Sequence, residues 1–141
     1  MMRVTQILCP VDFSEISQHA FDHAAAIARW YEAHLTLLYV FANLPTMDLP
    51  PLVLEDSDRE RLTTAMRKMA ARVPSGLRIE FRIQEAGYVH DEILRQAADR
   101  QSDLIVMGVH GRGAVDRLLF GSATHHVIRA ATCPVLIVRG A

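Results

Sequence analysis

Strand-like and helix-like apolar patterns take turns along this chain, and that alternation constrains the fold more than any other feature. Val4 to Val11 reads as a first strand. Ser14 follows as a helix cap, since its hydroxyl can accept a free backbone N–H of the first turn. Ile16, Ala20, Ala24, Ile27, Ala28 and Tyr31 then recur at helical spacing. His34 to Phe41 is a second strand, and Leu62, Ala65, Met66, Met69, Ala70 and Val73 predict a second helix that Pro74 ends. Met66 and Met69 at this spacing are core rather than a metal or cofactor stripe. Leu77 to Gln84 alternates Leu77, Ile79, Phe81 and Ile83 with polar residues, the pattern of a half-buried strand near a sheet edge. Val89, Ile93 and Ala97 predict a third helix. Leu104-Ile105-Val106-Met107 is apolar throughout, as a central parallel strand buried on both faces should be. A fourth helix begins near Gly121, and Val135 to Val138 is the last strand. Strands separated by helices of about ten residues or more make βαβ units and a parallel sheet covered on both faces.

Composition narrows the function. The chain has 141 residues, of which 50% are hydrophobic and 22% charged, enough apolar material for one domain over residues 1–141. Fifteen basic against sixteen acidic residues leave a net charge of −1, without the basic excess of a nucleic-acid binder. No apolar run approaches the ~20 residues of a membrane span, and the start lacks a signal-type stretch. Cys9 and Cys133 stand far apart, so free thiols in a reducing cytoplasm are expected. The stretch from Asn43 to Ser57 holds Pro45, Pro50 and Pro51 and reads as a loop.

Four of the seven glycines fall between positions 108 and 121. They lie where the buried strand leaves the sheet and enters the fourth helix. Glycines let backbone N–H groups face a ligand, and a helix start adds free N–H groups and a positive partial charge. Ser122 and Thr124 add hydroxyls. A phosphate chain suits this segment; so does an ordinary glycine-rich connection with caps, and local composition does not separate the two. There is no G-x-x-x-x-G-K-[ST], because the only lysine is Lys68, and no G-x-G-x-x-G after the first strand.

Three motifs in order give a more specific reading. Gly108-x2-Gly111-x9-Gly121-Ser122 resembles the G-2x-G-9x-G-[ST] nucleotide motif of the universal stress protein family. Pro10-Val11-Asp12-Phe13-Ser14 is similar to its P-x-D-x-S, and Cys133-Pro134-Val135-Leu136-Ile137-Val138 to its last strand. The resemblance implies a five-stranded parallel α/β sheet of order 3-2-1-4-5 with helices on both faces. It implies ATP, ADP or AMP as ligand, with Mg²⁺ on the phosphates. Pro10, Val11 and Asp12 would lie at the adenosine end, and Val40 in the adenine wall. Met107, Gly108, Gly111 and Arg112 would meet ribose or phosphate, and Gly121, Ser122, Ala123 and Thr124 the phosphates. Val109 and His125 depart from the family's usual Ser or Thr and Glu.

The remaining candidates have plainer readings. His125 and His126 are adjacent on a helix and point roughly 100° apart, a poor chelating geometry. His110 shapes the glycine loop. Asp91 and Glu92, beside His90, suit the dipole at a helix start. Ser14 has no nucleophile elbow around it. Arg59, Arg61, Arg67, Lys68 and Arg72 alternate with Asp56, Asp58 and Glu60, a solvated face. The expected function is therefore a nucleotide-binding sensor or regulator in stress responses. A slow ATPase or self-phosphorylating enzyme is the alternative, though no base is evident; a nucleotide-free dimeric adapter is another, against which the intact motif counts. In the order 3-2-1-4-5 the last strand lies at an edge, so a homodimer through Val135, Leu136, Ile137 and Val138 is expected.

Overall fold

The computed structural model of the chain describes residues 3–43, 53–73, 76–109 and 119–139, with the backbone alone for residues 119–122. The elements alternate as β1 (Gln6–Pro10), α1 (Glu15–Tyr31), β2 (His34–Ala42), α2 (Asp56–Ala70), β3 (Arg78–Ala86), α3 (Val89–Asp99), β4 (Leu104–Val109), α4 (Leu119–Ala130) and β5 (Val135–Arg139). The five strands form one parallel sheet of order β3-β2-β1-β4-β5, as the motifs imply. No helix among the described residues is long and apolar enough to cross a membrane.

Several boundaries differ from the periodicity. β1 is shorter than Val4 to Val11 because the Thr5 N–H turns to the Asp103 carboxylate at 2.8 Å instead of a strand. β3 runs on to Ala86, since β2 offers it a partner as far as Ala42. α2 starts at Asp56, inside the expected loop, where the Glu55 N–H donates to Asp58 Oδ2 at 3.1 Å. α4 starts at Leu119, two residues before Gly121. Most of the proline-bearing loop, residues 44–52, and Pro74 lie outside the described residues.

The alternation of strand side chains divides the core into two apolar clusters. Ile7, Cys9, Leu35, Leu37 and Val106 pack with Phe21 of α1 and Met66 of α2 on one face. Leu8, Leu38, Val40, Ile105 and Met107 pack with Ile93 of α3 and Val127 of α4 on the other. Met66 is fully buried and Met69 nearly so, which makes both core residues. The central strands are apolar on both sides, while the β3 side chains are at most half-buried, as suits an edge.

Polar links hold the strand starts in register. Asp103, just before β4, accepts from Thr5 N and Thr5 Oγ1, both at 2.8 Å, and from Gln6 N at 2.9 Å. Burial works to raise this carboxyl, but the hydrogen bonds from Thr5 and Gln6 outweigh it and hold it below the usual carboxylate range. On α3, Glu92 is not an exposed dipole partner. It is buried, paired with Arg95, and accepts from Gln96 Nε2 at 2.8 Å. Gln96 Oε1 in turn accepts from Arg100, which reaches Thr36 Oγ1 at 3.2 Å and pairs with Glu80.

Candidate functional site

The sheet order reverses between β1 and β4, which run outward from the centre to opposite helical layers. In open parallel sheets such a switch point leaves a crevice at the carboxyl ends of the two strands. Here those ends are Pro10-Val11-Asp12 after β1 and Gly108-Val109 in β4.

The turn leaving β1 is held tightly. Val11 is buried and its N–H donates to Leu38 O at 2.8 Å. Asp12 Oδ1 accepts from Ser14 N at 2.9 Å, closing an Asx turn. Phe13 takes a left-handed φ of 65°, and its ring packs on Tyr39 with centroids 5.1 Å apart. Ser14 caps α1 as its sequence position predicts, accepting from Ser17 N at 3.1 Å. Buried Ser17 donates its hydroxyl to Ser14 O at 3.0 Å and accepts from Asp12 N at 3.4 Å. One oxygen of the carboxylate is thereby fixed, while Asp12 Oδ2 is buried with no hydrogen-bond partner among the described residues. Burial and the nearby Asp12 charge push the Tyr39 hydroxyl up.

Three further expected site residues meet on the opposite side of the sheet. Val40, Met107 and Ala123 lie in one apolar cluster, 4%, 0% and 3% exposed. They can offer an apolar wall and backbone groups. Gly108 has a packing reason as well: a Cβ there would stand 2.6 Å from Ile16 Cγ2 and 3.0 Å from Ile16 O, in the first turn of α1. Gly121, Ser122, Ala123 and Thr124 fall in the first two turns of α4; the free N–H groups that can meet an anion belong to the first turn, which includes Gly121 and Ser122, while Ala123 and Thr124 follow it. Thr124 is buried. Gly111, Arg112 and His110 lie outside the described residues.

Sequence reasoning missed three residues at this rim. Ser17 and the left-handed Phe13 shape the Asp12 turn. Asn43, just beyond β2, donates its N–H to Ala86 O at 2.8 Å, and its Oδ1 is buried without a partner among the described residues. His126 stacks on His90 at 3.9 Å, and His90 lies 3.3 Å from Asp91. Among the described residues no three His, Cys, Asp or Glu side chains gather as a metal site. Burial pushes the Cys9 thiol up, with Asp22 adding to it, so Cys9 is an inert core residue. Grooves of about 490 and 450 Å³ open at the other end of the sheet, beside Arg78 and Glu32. The switch point and the unpartnered Asp12 oxygen both favour the carboxyl-end crevice instead.

The comparisons with known proteins agree with this geometry. A match to the universal stress protein family model spans residues 3–139. A universal stress protein of Methanocaldococcus jannaschii is 34% identical over 142 residues, covering 95% of this chain and 81% of that protein. The solved universal stress protein UspA from Lactobacillus plantarum is 31% identical, with a TM-score of 0.76 and coverage of 97% of this chain and 99% of that one. A universal stress protein solved in complex with cAMP is 25% identical, with a TM-score of 0.73 and coverage of 96% and 97%.

Proposed function

The chain belongs to the universal stress protein family, and on that footing we propose that it is an adenine-nucleotide-binding module, a sensor or regulator rather than a fast enzyme. The observation that carries the reading is Asp12 Oδ2, buried and without a partner among the described residues where β1 ends at the switch point. A buried carboxylate oxygen left unpaired is costly, and a ligand N–H or O–H donor at the adenosine end removes that cost. Val40 and Met107 supply an apolar wall for the base. The α4 start, with Gly121, Ser122, Ala123 and Thr124, takes the phosphates, and Gly108, Gly111 and Arg112 complete the loop between them. The ligand is ATP, ADP or AMP. Mg²⁺, when bound, rides on the phosphates and neutralises their charge. The relative solved with cAMP supports the nucleotide class. Catalysis of phosphoryl transfer needs a group to position the nucleophile, and Asp12 spends one oxygen on the Ser14 N–H.

The test is calorimetric titration with ATP. Micromolar affinity, on the order of 8 kcal/mol, is expected for the wild type. Asp12→Ala removes a charged acceptor and should weaken binding by about tenfold or more. Gly121→Val should block the phosphate path. Equal affinity in wild type and Asp12→Ala refutes the assignment. We further propose that two copies pair through the β5 edge, at Val135, Leu136, Ile137 and Val138; that edge carries Leu136, 36% exposed.

A further inference from the structure

β3 pairs with β2 on one side only, so its other side carries a row of backbone N–H and C=O groups. Backbone groups of alternate residues point to opposite sides of a strand. The Ile83 carbonyl accepts Arg59 Nη1 at 3.3 Å from α2, which puts Ile83 on the open side and Phe81 in the same phase. Between this edge and α2 runs a groove of about 370 Å³, lined by Arg59, Thr63 and Arg67 of the helix and Phe81, Arg82 and Ile83 of the strand. Its floor is apolar and only partly buried at Phe81 and Ile83.

The rim is one-sided in charge. Arg59, Arg67 and Arg82 are among its lining residues, Arg82 projecting from the strand on the face opposite Phe81 and Ile83, and no acidic residue lines it among the described residues. Arg59 has Glu85 at 3.9 Å, with its side chain 44% exposed. The guanidiniums of Arg67 and Arg82 make no ion pair or hydrogen bond among the described residues, whereas Arg61, Arg72, Arg95 and Arg100 each have a carboxylate. Asp58 and Glu60, which flank Arg59 on α2, do not line the groove.

We propose that this groove docks an extended acidic segment of a partner protein, added along β3 as a sixth strand. The strand edge asks for an extended backbone, the floor for alternate apolar side chains, and the rim for carboxylates on the others. Strand addition draws affinity from the main chain and specificity from alternate side chains. The incoming strand displaces Arg59 from Ile83 O, and the freed guanidinium takes a carboxylate. A second copy of β3 is the competing occupant, and the double variant below separates the two.

The probe is a fluorescein-labelled peptide of about eight residues alternating Glu and Val, long enough for one strand. Fluorescence anisotropy with the full chain should show saturable binding that weakens with added salt. Arg67→Glu with Arg82→Glu should weaken it by about tenfold or more while leaving ATP affinity unchanged. Peptide N-methylated at alternate residues should not bind in at least one of the two phases, since strand addition needs its donors. The proposal is overturned by no binding at about 1 mM protein, by equal binding of a Lys–Val peptide, or by full tolerance of N-methylation in both phases. Loss of self-association in the double variant would assign the groove to a second copy instead and likewise overturn it.

Discussion

Gly108 tests whether the first glycine of the nucleotide motif is there for the ligand, for the fold, or for both. In Gly108→Ala the new methyl would stand 2.6 Å from Ile16 Cγ2 and 3.0 Å from Ile16 O. Both lie well inside the ~3.5–4.0 Å optimum for non-bonded carbons. The Ile16 methyl can rotate away, but its carbonyl belongs to the first turn of α1. That turn is pinned by the Ser14 cap and by Ser17 Oγ on Ser14 O at 3.0 Å. The helix start must therefore shift by a few tenths of an ångström, and overpacking of this kind costs about 1–3 kcal/mol. For a chain of this size the melting temperature should fall by roughly 2–10 °C. Urea unfolding should show a lower midpoint at unchanged slope. Ile16→Ala removes the Cγ2 contact, so the double variant should be more stable than the sum of the two singles predicts, by about 0.5 kcal/mol or more. ATP affinity should drop with stability, because the displaced turn carries Asp12. Wild-type stability in Gly108→Ala, or strict additivity with Ile16→Ala, would refute the packing argument. Wild-type stability with lost ATP binding would leave the ligand as the sole reason for glycine.

Two other outcomes follow from the same contacts. Asp103 has a depressed folded pKa, so its contribution is present above the ordinary carboxylate value of ~3.9 and is lost as pH falls through the folded value. Acid unfolding of Asp103→Asn should therefore show a shallower loss of stability below about pH 4. On the β5 edge, light scattering should give about twice 15.8 kDa, and Ile137→Pro, which removes a backbone donor, should shift the population toward monomer; a wild-type mass near 15.8 kDa at high micromolar concentration would sink the dimer.

Element types and order were legible because the central strands are apolar on both faces and the helices carry a clear 3.6-residue stripe. Leu104 to Met107 reads as a central strand buried on both faces, and it is one. Boundaries were less legible because polar groups set them. Thr5 leaves the sheet for Asp103, a residue 98 positions away, and no local pattern announces that bond. Glu92 reads locally as a helix-start acid, although the i, i+3 and i, i+4 spacing to Arg95 and Gln96 carried the signal of its network. At the candidate site, Asp12 was named from a motif. Its Asx turn, the Ser17 contacts and the left-handed Phe13 depend on how β1 meets α1 in space. Asn43 was absorbed into a loop by the prolines that follow it.

The turn after β1 concentrates two local costs in consecutive residues. Phe13 holds φ at 65°, which costs a residue with a side chain about 1–2 kcal/mol. Among the described residues nothing pairs the buried Oδ2 of Asp12, a burden of about 1–3 kcal/mol or more for a charged group. The scaffold explains the first, because the chain must turn from Pro10 to the Ser14 cap within a few residues, and the tilted contact of its ring with Tyr39 offsets part of it. It does not explain the second. The Asx turn uses Oδ1 alone, and an asparagine would close it without burying a charge. Sequences depart from local rules mainly where function requires it, and here the departure lies just after β1, at the switch point of the sheet. A ligand donor on Oδ2 converts that standing cost into binding energy. The same oxygen is therefore a cost to the free fold and a reason to expect a ligand at this end of the sheet.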